Sequence, residues 1–193
     1  MAKQTIEIEV PDGMRAVWKD GKICYEPINP MERIKTVEDA ANYLAENNLC
    51  PELLLELSET LDGTYGQILC EYRVVVAALT NNEKRHLTTG ECWFPVVQFC
   101  RPEDVKNCWG KEVLGHIESE GKKYAVVGGN AHYGTTAGLG YFSPYGGVSN
   151  SWATVGFRSV SSKEVAQYIS KQFGRLLFDL HYGGNNCNWH WID

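Results

Sequence analysis

No apolar stretch in this 193-residue chain approaches the roughly 20 residues that a bilayer-spanning helix needs. A helical membrane protein is therefore not expected. No run of Lys and Arg occurs, and 18 basic residues stand against 24 acidic ones, for a net charge of −6. Nucleic-acid binders present a basic face, so nucleic acid is not an expected partner. A secretory leader would place an apolar core near the N-terminus, but Met1-Ala2-Lys3-Gln4 leads into the alternating Thr5–Val10. The seven cysteines are an odd number, which argues against a disulfide framework. Reduced thiols in a cytoplasm are the expectation.

Motifs for nucleotides, metals and nucleophilic catalysis are also missing. Gly138-Leu139-Gly140 is followed by Ser143 where a dinucleotide fingerprint needs its third glycine, and no P-loop occurs. These glycines, with Gly128-Gly129, read as turns and bulges of a twisted sheet. Cys92, Cys100 and Cys108 recur every eight residues, whereas zinc ligands pair two to four apart; only Cys187 and His190 are that close. Candidates for a Cys/His hydrolase, Cys100, Cys108 and Cys187 with His132, His181 or His190, cannot be assembled from spacing. No catalytic residue, metal ligand or cofactor is assigned.

What is present predicts an α+β chain, read as one domain over 1–193. An N-terminal β unit (1–30) begins with a strand over Thr5–Val10. Met14–Trp18 and Ile23–Ile28 then flank Lys19-Asp20-Gly21-Lys22, a hairpin signal because Asp and Gly tolerate positive φ. A helical part (36–80) follows. Thr36 with Asp39 is a capping box, Pro51 suits a first turn, and Ile68, Leu69, Tyr72, Val75, Val76 and Leu79 recur at helical spacing. From 91 to 193 an antiparallel β-meander plus helix is expected. Cys92–Cys100 contains Pro95 and so reads as an edge strand or a bend. A second hairpin turns at Ser119-Glu120-Gly121-Lys122, Trp152–Phe157 is a further strand, and Cys187–Asp193 forms a short terminal one. One amphipathic helix, capped by Ser161 or Ser162, carries Val165, Ile169, Phe173, Leu176, Leu177 and Leu180 as its apolar stripe. It is expected to pack on the sheet.

The aromatics are the feature most suggestive of binding. Tyr133, Tyr141, Phe142, Tyr145 and Trp152 crowd a Gly/Ser/Asn-rich stretch, and Trp189, His190 and Trp191 lie near the C-terminus. Rigid rings among small polar residues make adaptable binding surfaces, and equally make ordinary packing over a sheet. Tyr133, Tyr141, Tyr145 and Trp152 are the candidate ligand-binding residues. Arg158 joins them, placed to meet an acidic group near the start of the last helix or to pair with a carboxylate while its stem covers Phe157.

Several segments resemble a known group. Gly138-Leu139-Gly140-Tyr141-Phe142, Val155-Gly156-Phe157-Arg158 and the run Ser162–Phe173 are similar to small proteins of unassigned function encoded by phages and prophages of gut Bacteroidetes. Leu87-Thr88-Thr89-Gly90 before Trp93-Phe94-Pro95, and Thr36-Val37-Glu38-Asp39-Ala40, are similar too. The resemblance covers half to two thirds of the chain and transfers no site residue. It implies a mobile-element accessory protein in a bacterial cytoplasm, or packaged in a virion. Three functions follow as expectations. The first is a non-enzymatic domain that binds another protein of phage or host. The second is a carbohydrate or small-ligand module using the Tyr/Trp cluster. The third is a Cys/His-dependent hydrolase.

Overall fold

A computed structural model describes residues 7–11, 13–82, 92–108, 112–134, 160–183 and 188–193, with the backbone alone at 92 and 132–134. It begins with a two-stranded ribbon, β1 (Met14–Lys19) and β2 (Lys22–Pro27). The turn between them is the expected one: Asp20 at φ 51° and Gly21 at φ 76° supply the left-handed pair that a two-residue hairpin needs. The expected strand over Thr5–Val10 falls partly outside the described residues, and Glu7–Val10 is irregular and exposed. Alternation alone does not make a strand without a ladder partner, and Glu7–Val10 has none among the described residues.

The middle is helical. A short α1 (Pro30–Arg33), capped by the Asn29 side chain, is an addition to the expected elements. α2 (Val37–Glu46) starts at the capping box: Thr36 Oγ1 accepts from the Asp39 N–H at 3.0 Å, and Asp39 Oδ2 accepts from the Thr36 N–H at 2.9 Å. α3 (Pro51–Glu59) has Pro51 in its first turn, and α4 (Tyr65–Leu79) carries the expected positions Ile68 to Leu79. α2 and α3 pack on α4 and bury Leu44, Leu53, Tyr72 and Val75.

The second sheet has the strand order β3-β5-β4-β6, all antiparallel: β3 (Cys92–Cys100), β4 (Glu112–Ser119), β5 (Lys122–Gly134) and β6 (Trp189–Trp191). β4 and β5 turn at Glu120-Gly121, both at positive φ. β3 lies at the edge of this sheet, as Pro95 suggested. The Trp93 N–H and C=O both bond Val160 on the side away from β5, so Pro95, two residues on, turns its missing donor to that same side and spares the β3–β5 ladder.

The single expected C-terminal helix is two: α5 (Lys163–Gln172), capped by Ser162, and α6 (Gly174–Tyr182). The break falls where β4 intrudes. A Cβ on Gly174 would lie 2.2 Å from Leu114 Cδ1, and one on Gly128 would meet Ser170 O at 2.2 Å and the same Leu114 methyl at 2.7 Å. Two glycines thus make the slot that admits Leu114 between sheet and helices. The expected stripe does face inward: Ile169, Phe173 and Leu177 are buried, and Val165 packs against them. One hydrophobic cluster runs from α2 and α4 through α5 and α6 to Val97, Ile117 and Val126 on the sheet. A smaller cluster of Cys100, Ala125 and Val127 lies on the opposite face, beneath Val105 and Cys108 of the 3-10 helix Pro102–Asn107.

Both register shifts in the sheet carry glycines. Pairing slips by one between Val96 and Gln98 opposite Gly128-Gly129, and again between Val113 and Gly115. This fits the reading of Gly128-Gly129 as a bulge; Gly138 and Gly140 lie outside the described residues. Ser170, fully buried on α5, fills the hydrogen bonds the first slip frees. Its Oγ accepts from the Gly129 N–H at 2.9 Å and donates to the Val96 carbonyl.

Candidate functional site: the apolar face of the N-terminal ribbon

Register fixes which ribbon side chains share a face. Met14 pairs with Pro27, Ala16 with Tyr25 and Trp18 with Ile23; between them Arg15 pairs with Glu26, Val17 with Cys24 and Lys19 with Lys22. Directly opposite residues lie on the same face and neighbours on opposite faces. One face is therefore Met14, Ala16, Trp18, Ile23 and Tyr25. The other is largely polar.

The polar face is the one tied to the rest of the chain. Arg15 donates from Nη1 to both Glu32 carboxylate oxygens, at 3.1 and 2.9 Å, anchoring β1 to α1. The apolar face is left to solvent: Trp18 is 73% exposed, Tyr25 45%, Ile23 37% and Met14 36%. Ile8 and Val10 extend this surface, because the Tyr25 hydroxyl donates to the Glu9 carbonyl at 3.0 Å. This inverts the usual arrangement of a half-buried sheet, which turns its apolar side to the core. A contiguous exposed patch of large apolar residues marks a contact surface, whereas apolar residues exposed singly need no explanation.

The candidate residues from sequence fare differently. Tyr141, Tyr145, Trp152 and Arg158 lie outside the described residues, as does the expected strand Trp152–Phe157. Tyr133 is in β5, paired in register with Trp93, and its side chain lies outside the description. The C-terminal rings pack. Trp189 and Trp191 meet Phe178 edge-on at centroid distances of 4.9 and 5.4 Å, and their N–H groups donate to Tyr182 O and Asp179 Oδ1. His190 lies opposite Glu118 and is exposed.

Among the described residues no thiol is seen paired with a histidine. Cys187 and the His132 side chain lie outside the described residues. Cys100 and His116 flank Ala125 on opposite neighbouring strands, which sets them roughly 10 Å apart across two strand spacings. Burial and the adjacent Cys108 push the Cys100 thiol up to about 12, so it stays protonated at neutral pH. A cleft of about 270 Å³ beside α3 and α4 is lined by Cys50, Arg73, Ala77, Thr80, Asn82 and Ser161 among others. Among the described residues no histidine lines it, and burial raises the Cys50 thiol too. Among the described residues no group of three or more His, Cys, Asp or Glu could hold a metal ion, and no helix is long and apolar enough to cross a membrane.

A polar cluster around His116 is accounted for by strand-edge chemistry. β6 covers only Ile117–Ser119 of β4, leaving the groups before it without a ladder. Asp193 Oδ1 accepts from the His116 N–H at 2.6 Å, Asp193 Oδ2 lies 2.5 Å from His116 Nδ1, and the Ile192 N–H donates to His116 O. Arg175, stacked over Trp191, donates to Leu114 O at 2.9 Å and to Asp193 at 3.1 Å. The hydrogen bonds from His116 hold the Asp193 carboxyl below its usual range. A Cβ at position 115 would lie 2.3 Å from Arg175 Nη2 and 2.8 Å from Asp193 Oδ1, so a larger residue there would make these side-chain ends shift.

Sequence reasoning did not single out the ribbon face. Its signal was present as Met14, Ala16 and Trp18 in alternation, followed by Ile23 and Tyr25. The charges of Arg15 and Glu26 would have pointed the other face outward; the pairing of Arg15 with Glu32 of α1 reverses that. Compared with known proteins, the chain matches no family model, and no curated protein or solved structure matches it.

Proposed function

We propose that this chain is a non-enzymatic accessory protein of a phage or prophage that binds another protein through the exposed apolar face of its N-terminal ribbon. The observation that supports this reading is the inversion of the ribbon, with Trp18, Ile23 and Tyr25 facing water and Arg15 facing α1. Trp and Tyr are the side chains that most often anchor protein interfaces, because a large rigid ring desolvates well and retains one polar handle. A partner with an apolar groove, flanked by polar groups, fits such a strip. The setting in a phage-infected bacterial cell follows from the resemblance of residues 36–40, 87–95 and 138–173 noted above.

The test is affinity capture from infected host cells with the wild-type chain and with a Trp18→Ser/Ile23→Ser/Tyr25→Ser variant. One phage or host protein retained by the wild type and lost by the variant is expected. Equal retention by both would assign the binding to another surface and refute the reading.

A further inference from the structure

We propose that the outer edge of β2 pairs antiparallel with β2 of a second copy of this chain, joining two ribbons into one four-stranded sheet. The ladder shows which groups are available. The Ile28 N–H donates to Gly13 O at 2.9 Å, and Lys19 and Lys22 close the two-residue turn. Even-numbered β2 residues therefore bond inward to β1. Ile23 and Tyr25 turn their N–H and C=O groups to the outer edge, where they meet no partner among the described residues. An edge with free donors and acceptors is a template for another strand.

The side chains select both the partner and the register. Centring the twofold on Cys24 sets Ile23 opposite Tyr25 of the second copy, twice, on the apolar face. It sets Lys22 opposite Glu26 of the second copy, also twice, on the polar face. Every outward group of Ile23 and Tyr25 then finds a ladder partner. Moving the centre to Tyr25 would set Ile23 against Pro27, which has no N–H, and Cys24 against Glu26. Moving it to Ile23 leaves Tyr25 opposite Gly21 and Lys22 opposite Cys24. Pairing through β1 is poorer: the Met14 N–H already bonds Pro11 O at 3.0 Å, and the register centred on Val17 opposes Arg15 and Lys19 of the two copies. A strand whose cation and anion meet their complements under twofold rotation is built for its own copy. The assembly is independent of what the apolar face binds, and it sets two such faces side by side.

The geometry puts the two Cys24 residues in a non-hydrogen-bonded pair, with Cα atoms roughly 4.5 Å apart, within disulfide range. Diamide, which removes two hydrogens from a thiol pair, should then link two full-length chains through Cys24. The link should be absent in Cys24→Ser, while that variant still dimerises in sedimentation velocity over a concentration series. Lys22→Glu and Glu26→Lys each place like charges opposite one another and should weaken self-association. An equimolar mixture of the two variants restores opposite charges at both pairs, and should associate roughly tenfold more tightly than either alone. Ile23→Pro removes an outward donor and no inward one, so it should give a folded monomer. A wild-type chain that stays monomeric throughout, diamide links through other cysteines only, or a mixture no tighter than its components would each overturn the proposal.

Discussion

Replacing Ser170 by Ala tests how the sheet is locked to its helices. The hydroxyl sits fully buried on α5, accepting from the Gly129 N–H and donating to the Val96 carbonyl where the β3–β5 register slips. Removing it strands the buried Val96 carbonyl and the part-buried Gly129 N–H, where the α5 backbone lies against Gly128. A buried group left without its partner costs about 1–3 kcal/mol. The two are coupled through one oxygen and share any relaxation, so the combined loss should be about 2–4 kcal/mol. The cavity adds little, since only an oxygen atom is lost. Urea unfolding followed by far-UV circular dichroism would show it as a lower midpoint at unchanged slope. Ser170→Thr is no control, because its extra methyl overpacks the site; Ser170→Cys keeps a weak donor and should fall between. A Ser170→Ala chain within about 0.5 kcal/mol of wild type would refute the claim that this hydroxyl completes the slipped ladder.

Three further outcomes are expected. Gly115→Ala should destabilise by about 1–3 kcal/mol, because residue 115 sits at φ 156°, which side chains rarely adopt, and its Cβ would push the Arg175 guanidinium off the β4 edge; faster amide exchange at His116 would localise the effect. Burial raises the Asp179 carboxyl, so its folded pKa exceeds its unfolded one and stability is lost as pH rises through that interval; Asp179→Asn, which keeps an acceptor for Trp191, should match or exceed wild-type stability at neutral pH and lose that advantage in acid, as read by unfolding midpoints. Trp18→Ser should leave unfolding free energy within about 0.5 kcal/mol, whereas Leu177→Ala, in the core, should cost about 2–5 kcal/mol; a large loss from Trp18→Ser would mean that its ring is not free.

The elements legible in the sequence are those specified by chemistry a few residues long. Asp20-Gly21 and Glu120-Gly121 demand tight hairpins, Thr36 with Asp39 demands a helix start, and Pro51 occupies a first turn. What was not legible depends on residues far apart. The stripe from Val165 to Leu180 reads as one helix; Gly174 weakens it locally, and the Leu114 side chain arriving from β4 packs at that break. The strand order, with β5 central and β6 added from the C-terminus, has no local signature. The alternation over Thr5–Val10 suggested a strand, yet Glu7–Val10 forms none, because pairing and not pattern makes one. The ribbon was legible as a hairpin, but which face meets water depends on Arg15 finding Glu32. Tyr141, Tyr145, Trp152 and Arg158 lie outside the described residues, and Tyr133 is placed only by its pairing with Trp93.

Site-specific photo-crosslinking in infected cells addresses the ribbon face directly. A photoreactive phenylalanine analogue at position 18 is compared with one at position 61, an equally exposed apolar site outside the ribbon. Position 18 should give one discrete adduct to a second protein, lost when Ile23 and Tyr25 are changed to Ser, and position 61 should give none. No discrete adduct from position 18, or the same adduct from both positions, would contradict the account.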